Sequence, residues 1–244
     1  ITPRALEAAA ALDRERETKG PRGPLHGIPI VLKDNYDTFD MPTTASAVAM
    51  AGFVPPDDGT QVRKLREAGA VFIGKTNLPE FGMGSQSYNP VFGAVGSAYD
   101  PDLTAGGSSG GAACGLGTQM LPVANGGDLM GSLRNPGAFN NVIGFRPTQG
   151  RVPDSLGSDL FYQQMGTSGP MGRNAEDTAR FLLTMAGQSP IQPLSLRDSL
   201  PAASEFAPLD LHGLKIGWMG DFDGHLPMEP GVIELCESSL GALD

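Results

Sequence analysis

Residues 106–136 (GGSSGGAACGLGTQMLPVANGGDLMGSLRNP) carry two glycine clusters that contain serines. Ser108 and Ser109 lie in the first cluster and Ser132 in the second. No other stretch limits the chain so tightly. Glycine, lacking Cβ, lets backbone N–H groups approach a ligand closely and permits positive φ. Loops of this kind bind either an anion or the negative charge that develops during acyl transfer. Between the clusters, residues 112–117 are small and residues 121–124 form a short apolar run.

Three chemistries compete for such loops. A P-loop needs Lys-Ser/Thr after its last glycine, whereas Gly111 is followed by Ala-Ala-Cys, which argues against a phosphate cradle. Residues 107–111 and 106–110 formally fit G-x-S-x-G around Ser109 and Ser108. That elbow follows a buried strand, and residues 98–105 (AYDPDLTA) read as loop. Its histidine would have to be His212 or His225, each in an unexceptional setting. The third chemistry uses a serine nucleophile with lysine in place of histidine.

The rest of the chain reads as an α/β frame. Thr2-Pro3 opens a helix with Leu6, Ala9, Ala10 and Leu12 on one face, ending near Lys19-Gly20. Residues 28–32 predict a strand that delivers Lys33, Asp34 and Asn35 at its end. Gly59-Thr60 starts a second helix with Val62, Leu65 and Ala68 inward, and residues 70–74 (AVFIG) follow as a buried strand. This helix-strand alternation predicts an α/β sheet. Residues 85–105 are a long polar loop, and such loops in compact domains are usually functional. Further on, residues 142–146 predict a strand, residues 147–166 irregular chain, residues 175–186 a helix capped by Asn174, and residues 214–218 another strand. With no internal repeat or shift in composition, residues 1–244 read as a single domain.

Charge and composition exclude several functions. The net charge is −10 with no dense Lys/Arg run, so a nucleic-acid footprint is absent. No apolar stretch reaches membrane-spanning length, so no membrane partner is expected. Cys114 and Cys236 are too few and too far apart for a disulfide framework or a thiolate metal site, and a reducing cytoplasm fits best. The chain opens on a helix-like segment without a leader, and residues 229–244 read as a helix lacking a C-cap glycine. It therefore reads as a piece of something longer.

Lys33-Asp34-Asn35, residues 106–111 (GGSSGG) and residues 127–136 (GDLMGSLRNP) together resemble the amidase signature family. Residues 23–35 (GPLHGIPIVLKDN), 74–77 (GKTN), 144–148 (GFRPT) and 169–173 (GPMGR) extend the likeness in order and spacing over residues 20–190. The resemblance implies a mixed central β-sheet flanked by α-helices, incomplete at the C-terminus. It also implies a Ser–cis-Ser–Lys triad, with Ser132 as nucleophile, Ser108 as bridging serine on a cis peptide and Lys33 as base. The oxyanion hole would be the backbone N–H groups of Leu129, Met130, Gly131 and Ser132.

Ser109 is expected to serve structure, bonding the loop or capping the 112–117 helix, with Asp128 and Arg134 as orienters of the loop. Lys75 reads as a surface or loop-tethering residue and His26 as packing. Phe81, Met83 and Met130 suggest a partly apolar acyl pocket. Met130, Gly127 and Gly137 depart from the family pattern, which usually has glycine, serine or threonine, and alanine there. Family members also continue well past the equivalent of Asp244, which adds sheet strands and pocket walls and makes self-association of this chain an expectation.

The implied function is amidohydrolysis of a small-molecule amide, without metal or cofactor. A second reading is the amidase component of a tRNA-dependent amidotransferase, and a third is a truncated, non-catalytic binding module.

Overall fold

The structure, a computed structural model, describes residues 2, 4–153, 165–202, 205 and 210–243. Pro3, most of the irregular stretch expected at 147–166, and Asp244 lie outside the described residues. The chain divides into two compact units, Ile1–Ala203 and Ser204–Asp244.

The first unit begins with α1 (Ala5–Lys19), whose N-cap position is Arg4. Thr2 contributes there too, its hydroxyl accepting from the Arg4 N–H at 3.3 Å. Of the predicted inner face, Leu12 is buried but Leu6 is exposed. β1 (Pro29–Lys33), α2 (Thr60–Glu67) and β2 (Val71–Thr76) follow. The strand expected at 28–32 thus runs one residue further and takes in Lys33. Two short antiparallel strands, β3 (Tyr88–Asn89) and β4 (Gly93–Ala94), pair within the long polar loop.

α3 (Gly110–Gly117) has a sequence that opposes helix formation, since each glycine costs about 1 kcal/mol relative to alanine. Packing explains the choice. A Cβ on Gly111 would lie 2.6 Å from the Asn77 backbone nitrogen, and one on Gly115 2.7 Å from Leu121. Next come β5 (Val123–Asp128), α4 (Arg134–Phe139), β6 (Ile143–Gly144), β7 (Thr167–Gly172) and α5 (Ala175–Met185). α5 starts as expected, with the Asn174 side chain accepting from the Asp177 N–H at 2.8 Å. The strand predicted over 142–146 shrinks to Ile143–Gly144, the residues in register with β7, although the Phe145 N–H still donates to the Pro170 carbonyl of β7 at 3.1 Å.

Five strands form one sheet in the order β2-β1-β5-β7-β6. β2, β1 and β5 are parallel, while β7 is antiparallel to both β5 and β6. This is the mixed sheet with flanking helices that the resemblance implies. Strand alternation sends Ile30, Leu32 and Phe72 to one face, where they pack with Val62, Leu65, Phe181 and Met185 of α2 and α5. Val31, Ala124 and Met171 pack on the other face against Ala112, Ala113 and Leu116 of α3. β1 therefore has helices on both sides, which is why its sequence is apolar throughout until Lys33.

His26 packs as expected. Its Nδ1 accepts from the Arg22 N–H at 3.0 Å and its Nε2 lies 2.9 Å from the Leu12 carbonyl, joining the middle of α1 to the approach to β1.

In the second unit, residues 214–218 form no strand, because no described segment pairs with them. The helix expected over 229–244 is shorter, with α6 (Val232–Ser238) followed by a 3₁₀ turn at Leu240–Leu243. His212 and His225 lie in this unit, both exposed.

Phe181 fills the α2–α5 face of the core with 1% exposure. Phe181→Ala should lower stability by about 3–5 kcal/mol through lost burial and the cavity left behind. Urea unfolding should show a lower midpoint with an unchanged slope, and an unchanged midpoint would contradict this packing.

Candidate active site

The site is assembled where β1, the loop before α3 and the turn after β5 meet. Lys33 ends β1 on the α3 side, with 2% exposure. Its Nζ donates to Ser108 Oγ at 2.6 Å and to Ser109 Oγ at 3.1 Å. Its backbone N–H donates to Asn125 Oδ1 at 2.9 Å, which fixes the strand end against β5. The Gly107–Ser108 peptide bond is cis.

Ser109 occupies the N-cap position of α3, yet its hydroxyl makes no cap hydrogen bond. That oxygen instead accepts from Lys33 and donates to the Gly127 carbonyl at 3.5 Å. The Ser109 N–H donates to the Ser132 carbonyl at 3.2 Å, tying the two serine-bearing loops together. β5 must come close for this to work. A Cβ on Gly126 would lie 2.6 Å from Ser109 Oγ and 2.8 Å from Leu133, so the strand is glycine here for steric reasons.

Ser132 is half-buried and follows Gly131, whose φ of +117° favours glycine. Among the described residues the Ser132 hydroxyl has no hydrogen-bond partner, whereas Ser108 is bonded directly to Lys33.

Asp128 organises the turn. It is 1% exposed. It accepts from the N–H groups of Gly131 (2.7 Å) and Leu133 (3.1 Å), from Arg134 Nε (3.0 Å) and from Arg146 Nη1 (2.9 Å). Burial alone would raise its pKa. The hydrogen bonds from Arg134, Gly131, Arg146 and Leu133 outweigh burial and hold it well below the usual carboxylate range. Arg146 also donates to the Asp128 and Leu129 carbonyls at 2.7 and 3.3 Å.

This network bears on the four amides expected to form an oxyanion hole. The Gly131 N–H is already committed to Asp128, so it shapes the turn. The N–H groups of Leu129, Met130 and Ser132 have no acceptor among the described residues.

Burial pushes the Lys33 pKa down to about 7, and the charge on Asp128 is the main opposing influence. A lysine in this state is a mixture of amine and ammonium near neutral pH, so it can both take and return a proton.

Phe81 and Met83 line a cavity of about 820 Å³ together with Gln86 and Tyr88, whereas Met130 is not part of its wall. Ser87, between the lining residues Gln86 and Tyr88, ties this stretch to the Ser108 loop, its N–H donating to the Gly106 carbonyl at 3.1 Å and its Oγ accepting from Gly110 at 3.0 Å. Lys75 is mostly buried and tethers a loop, donating to the Tyr36 carbonyl and Thr43 Oγ1, both at 2.7 Å. The surface alternative for Lys75 therefore fails.

Sequence reasoning missed Asn125 and Arg146 as parts of the site. Arg146 lies inside the GFRPT stretch, so a signal was present. Asn125 sits among glycines on a strand whose periodicity is hidden.

A buried lysine hydrogen-bonded to a serine, with a second serine on a glycine turn tied to the same loop, defines an α/β protein with a lysine–serine site. Comparison with known proteins narrows the class. A family model described as Amidase matches residues 1–244, and the chain belongs to this family, the amidase signature proteins. The chain is 39% identical to one of the component chains of the glutamyl-tRNA(Gln) amidotransferase of Rhodopirellula baltica, over 96% of this chain and 48% of that protein. Among solved structures, the native peptide amidase of Stenotrophomonas maltophilia is 38% identical with a TM-score of 0.75, covering 83% of this chain and 42% of that one. The peptide amidase PAM bound to the competitive inhibitor chymostatin is 32% identical with a TM-score of 0.80, covering all of this chain and 51% of its own. The chain thus spans about half the length of the curated relatives it matches.

The lowered Lys33 pKa has a consequence for stability. Between pH 7 and about 10.4, the unfolded lysine holds a proton that the folded one has released. Stability should therefore rise with pH across that window, by about 1.4 kcal/mol per pH unit for one fully titrating group. Lys75, whose pKa burial pushes down to about 8, adds to the rise in the upper part of the window. Urea unfolding at pH 7, 8 and 9 should show a smaller slope in Lys33→Met than in the parent. Equal slopes would show that the folded lysine stays protonated.

Proposed function

We propose that the chain carries the catalytic groups of an amidohydrolase, which cleaves a carboxamide C–N bond through an acyl-enzyme on Ser132. The observation that carries this reading is the 2.6 Å hydrogen bond between Lys33 and Ser108 at a lysine whose pKa burial pushes down to about 7. Neutral Lys33 takes the proton of Ser108 as Ser108 takes that of Ser132. The Ser132 oxygen then attacks the amide carbonyl, doing through a serine relay what histidine does in other serine hydrolases. The free N–H groups of Leu129, Met130 and Ser132 receive the developing oxyanion, each worth about 3 kcal/mol in the transition state. Lys33 returns its proton through Ser108 to the departing amine or ammonia. Water then attacks the acyl-enzyme, passing its proton through Ser108 to Lys33, and that proton returns through Ser108 to Ser132 as the carboxylic acid departs. Ser109 holds Lys33 in place, and Asp128 with Arg134 sets the turn that carries the oxyanion donors. Phe81 and Met83 supply an apolar wall for the acyl group.

A second reading follows from the amidotransferase relative. In it, the same chemistry serves as the amidase component of a tRNA-dependent amidotransferase, where a protein partner receives the ammonia. Hydrolysis of glutamine, and its stimulation by partner proteins, favours this reading. Hydrolysis of peptide or aryl amides without a partner favours the first.

A fluorophosphonate probe followed by peptide mapping should label Ser132, and Ser132→Ala should abolish the label. A label on Ser108 that survives in Ser132→Ala overturns the assignment, and no label at all favours a binding module. With a substrate in hand, kcat/KM should rise with pH through about 7 as Lys33 loses its proton. Lys33→Arg should lose at least about a hundredfold, because a guanidinium does not give up its proton.

A further inference from the structure

We propose that a second cavity, at the carboxyl ends of β1 and β2, is a binding site for a small primary carboxamide with an apolar substituent. The inference does not depend on the chemistry at Ser132. The cavity has a volume of about 470 Å³ and is lined by Asp34, Lys75, Thr44, Met41, Pro42 and Phe92 among others. This is within the usual range for small-molecule sites. It lies at the carboxyl ends of the parallel strands β1 and β2, where open α/β sheets commonly take ligands.

An irregularity in the sheet places Lys75 there. The β1–β2 register shifts between Ile30 and Val31, so Leu32 pairs with Lys75 and Lys33 with Thr76. Lys75 consequently shares the side of Leu32, and Asp34 follows one residue after Lys33 on that same side. Bulges of this kind re-aim side chains next to functional sites.

The two charged groups leave a gap of a particular size. Lys75 Nζ and Asp34 Oδ1 are 3.9 Å apart, too far for a hydrogen bond. Two of the three Lys75 protons go to the Tyr36 carbonyl and Thr43 Oγ1. Asp34 accepts from the Thr44 hydroxyl and N–H and keeps spare lone pairs. A primary carboxamide has its oxygen and nitrogen about 2.3 Å apart. Its oxygen can accept from Lys75 while its N–H donates to Asp34, bridging the gap with two hydrogen bonds.

Charge selects the ligand class. Lys75 is already faced by Asp34 and Asp37, with Asp40 and Asp58 beyond, so a carboxylate would add a further anion to a buried acidic site. Met41, Pro42 and Phe92 receive the apolar substituent.

The test uses the full chain carrying Ser132→Ala, so that the ligand is not turned over, with 4-fluorobenzamide titrated by ¹⁹F NMR. Saturable binding is expected. 4-Fluoroacetophenone, which lacks the N–H donor, and 4-fluorobenzoate should each bind at least about tenfold more weakly. Lys75→Met and Phe92→Ala in the same background should each weaken 4-fluorobenzamide by a similar factor. Phe92 is 56% exposed, so its replacement decides the question should Lys75→Met fail to fold. Absent saturation, equal binding of the ketone, or undiminished binding in Phe92→Ala would overturn the proposal.

Discussion

A lysine side chain buried with serine hydroxyls for partners sets the terms for everything around it. Removing an ammonium from water costs several kcal/mol unless a counter-charge lies close, and among the hydrogen bonds of Lys33 Nζ there is no carboxylate. Two hydroxyls fill that role instead, one on each of two consecutive residues. The small residues of α3 follow from the same demand, since only a helix of that girth brings Ser108 and Ser109 up to the end of β1.

Asp128 shows how the opposite charge is accommodated without cancelling this effect. It is the carboxylate whose field pulls the Lys33 pKa upward, but Arg134 and Arg146 both hold it. One buried anion shared by two cations projects little net negative potential towards a third. The same carboxylate fixes the Gly131 and Leu133 amides, so the electrostatics near the lysine and the shape of the serine turn rest on one side chain. Because Gly131 is held this way, the conformation of the turn is set by the protein's own groups.

The parts of this protein legible in the sequence were those with strong local signals. The apolar run before Lys33 and the capped helix at Asn174 belong to that group, and the family likeness added the cis peptide and the meeting of Lys33 with Ser108. The less legible parts depend on distant contacts. β5 continues to Asp128 through Gly126 and Gly127, which look like loop residues until the proximity of Ser109 and Leu133 is known. β7 (TSGPMG) shows no apolar alternation, although the strand is buried along its whole length. α4 contains Pro136 and Gly137 and is specified by its setting rather than by propensity. The extended stretch 214–218 looked like a strand because it is apolar, but sequence alone does not supply a neighbour to pair with.

The irregular pairing of β1 with β2 affects more than one side of the sheet. In an unbroken parallel register starting from Pro29 and Val71, the partner of Lys33 would be Lys75 rather than Thr76. Two lysines would then point the same way from adjacent strands, about 4.8 Å apart, in a region where ammonium groups are poorly solvated. Each would drive down the proton affinity of the other, and their titrations would merge into one coupled process. The single extra residue in β2 separates the two amines across the strand pair. A one-residue deletion between Phe72 and Lys75 would alter the acid–base behaviour of Lys33 without touching any residue in contact with it.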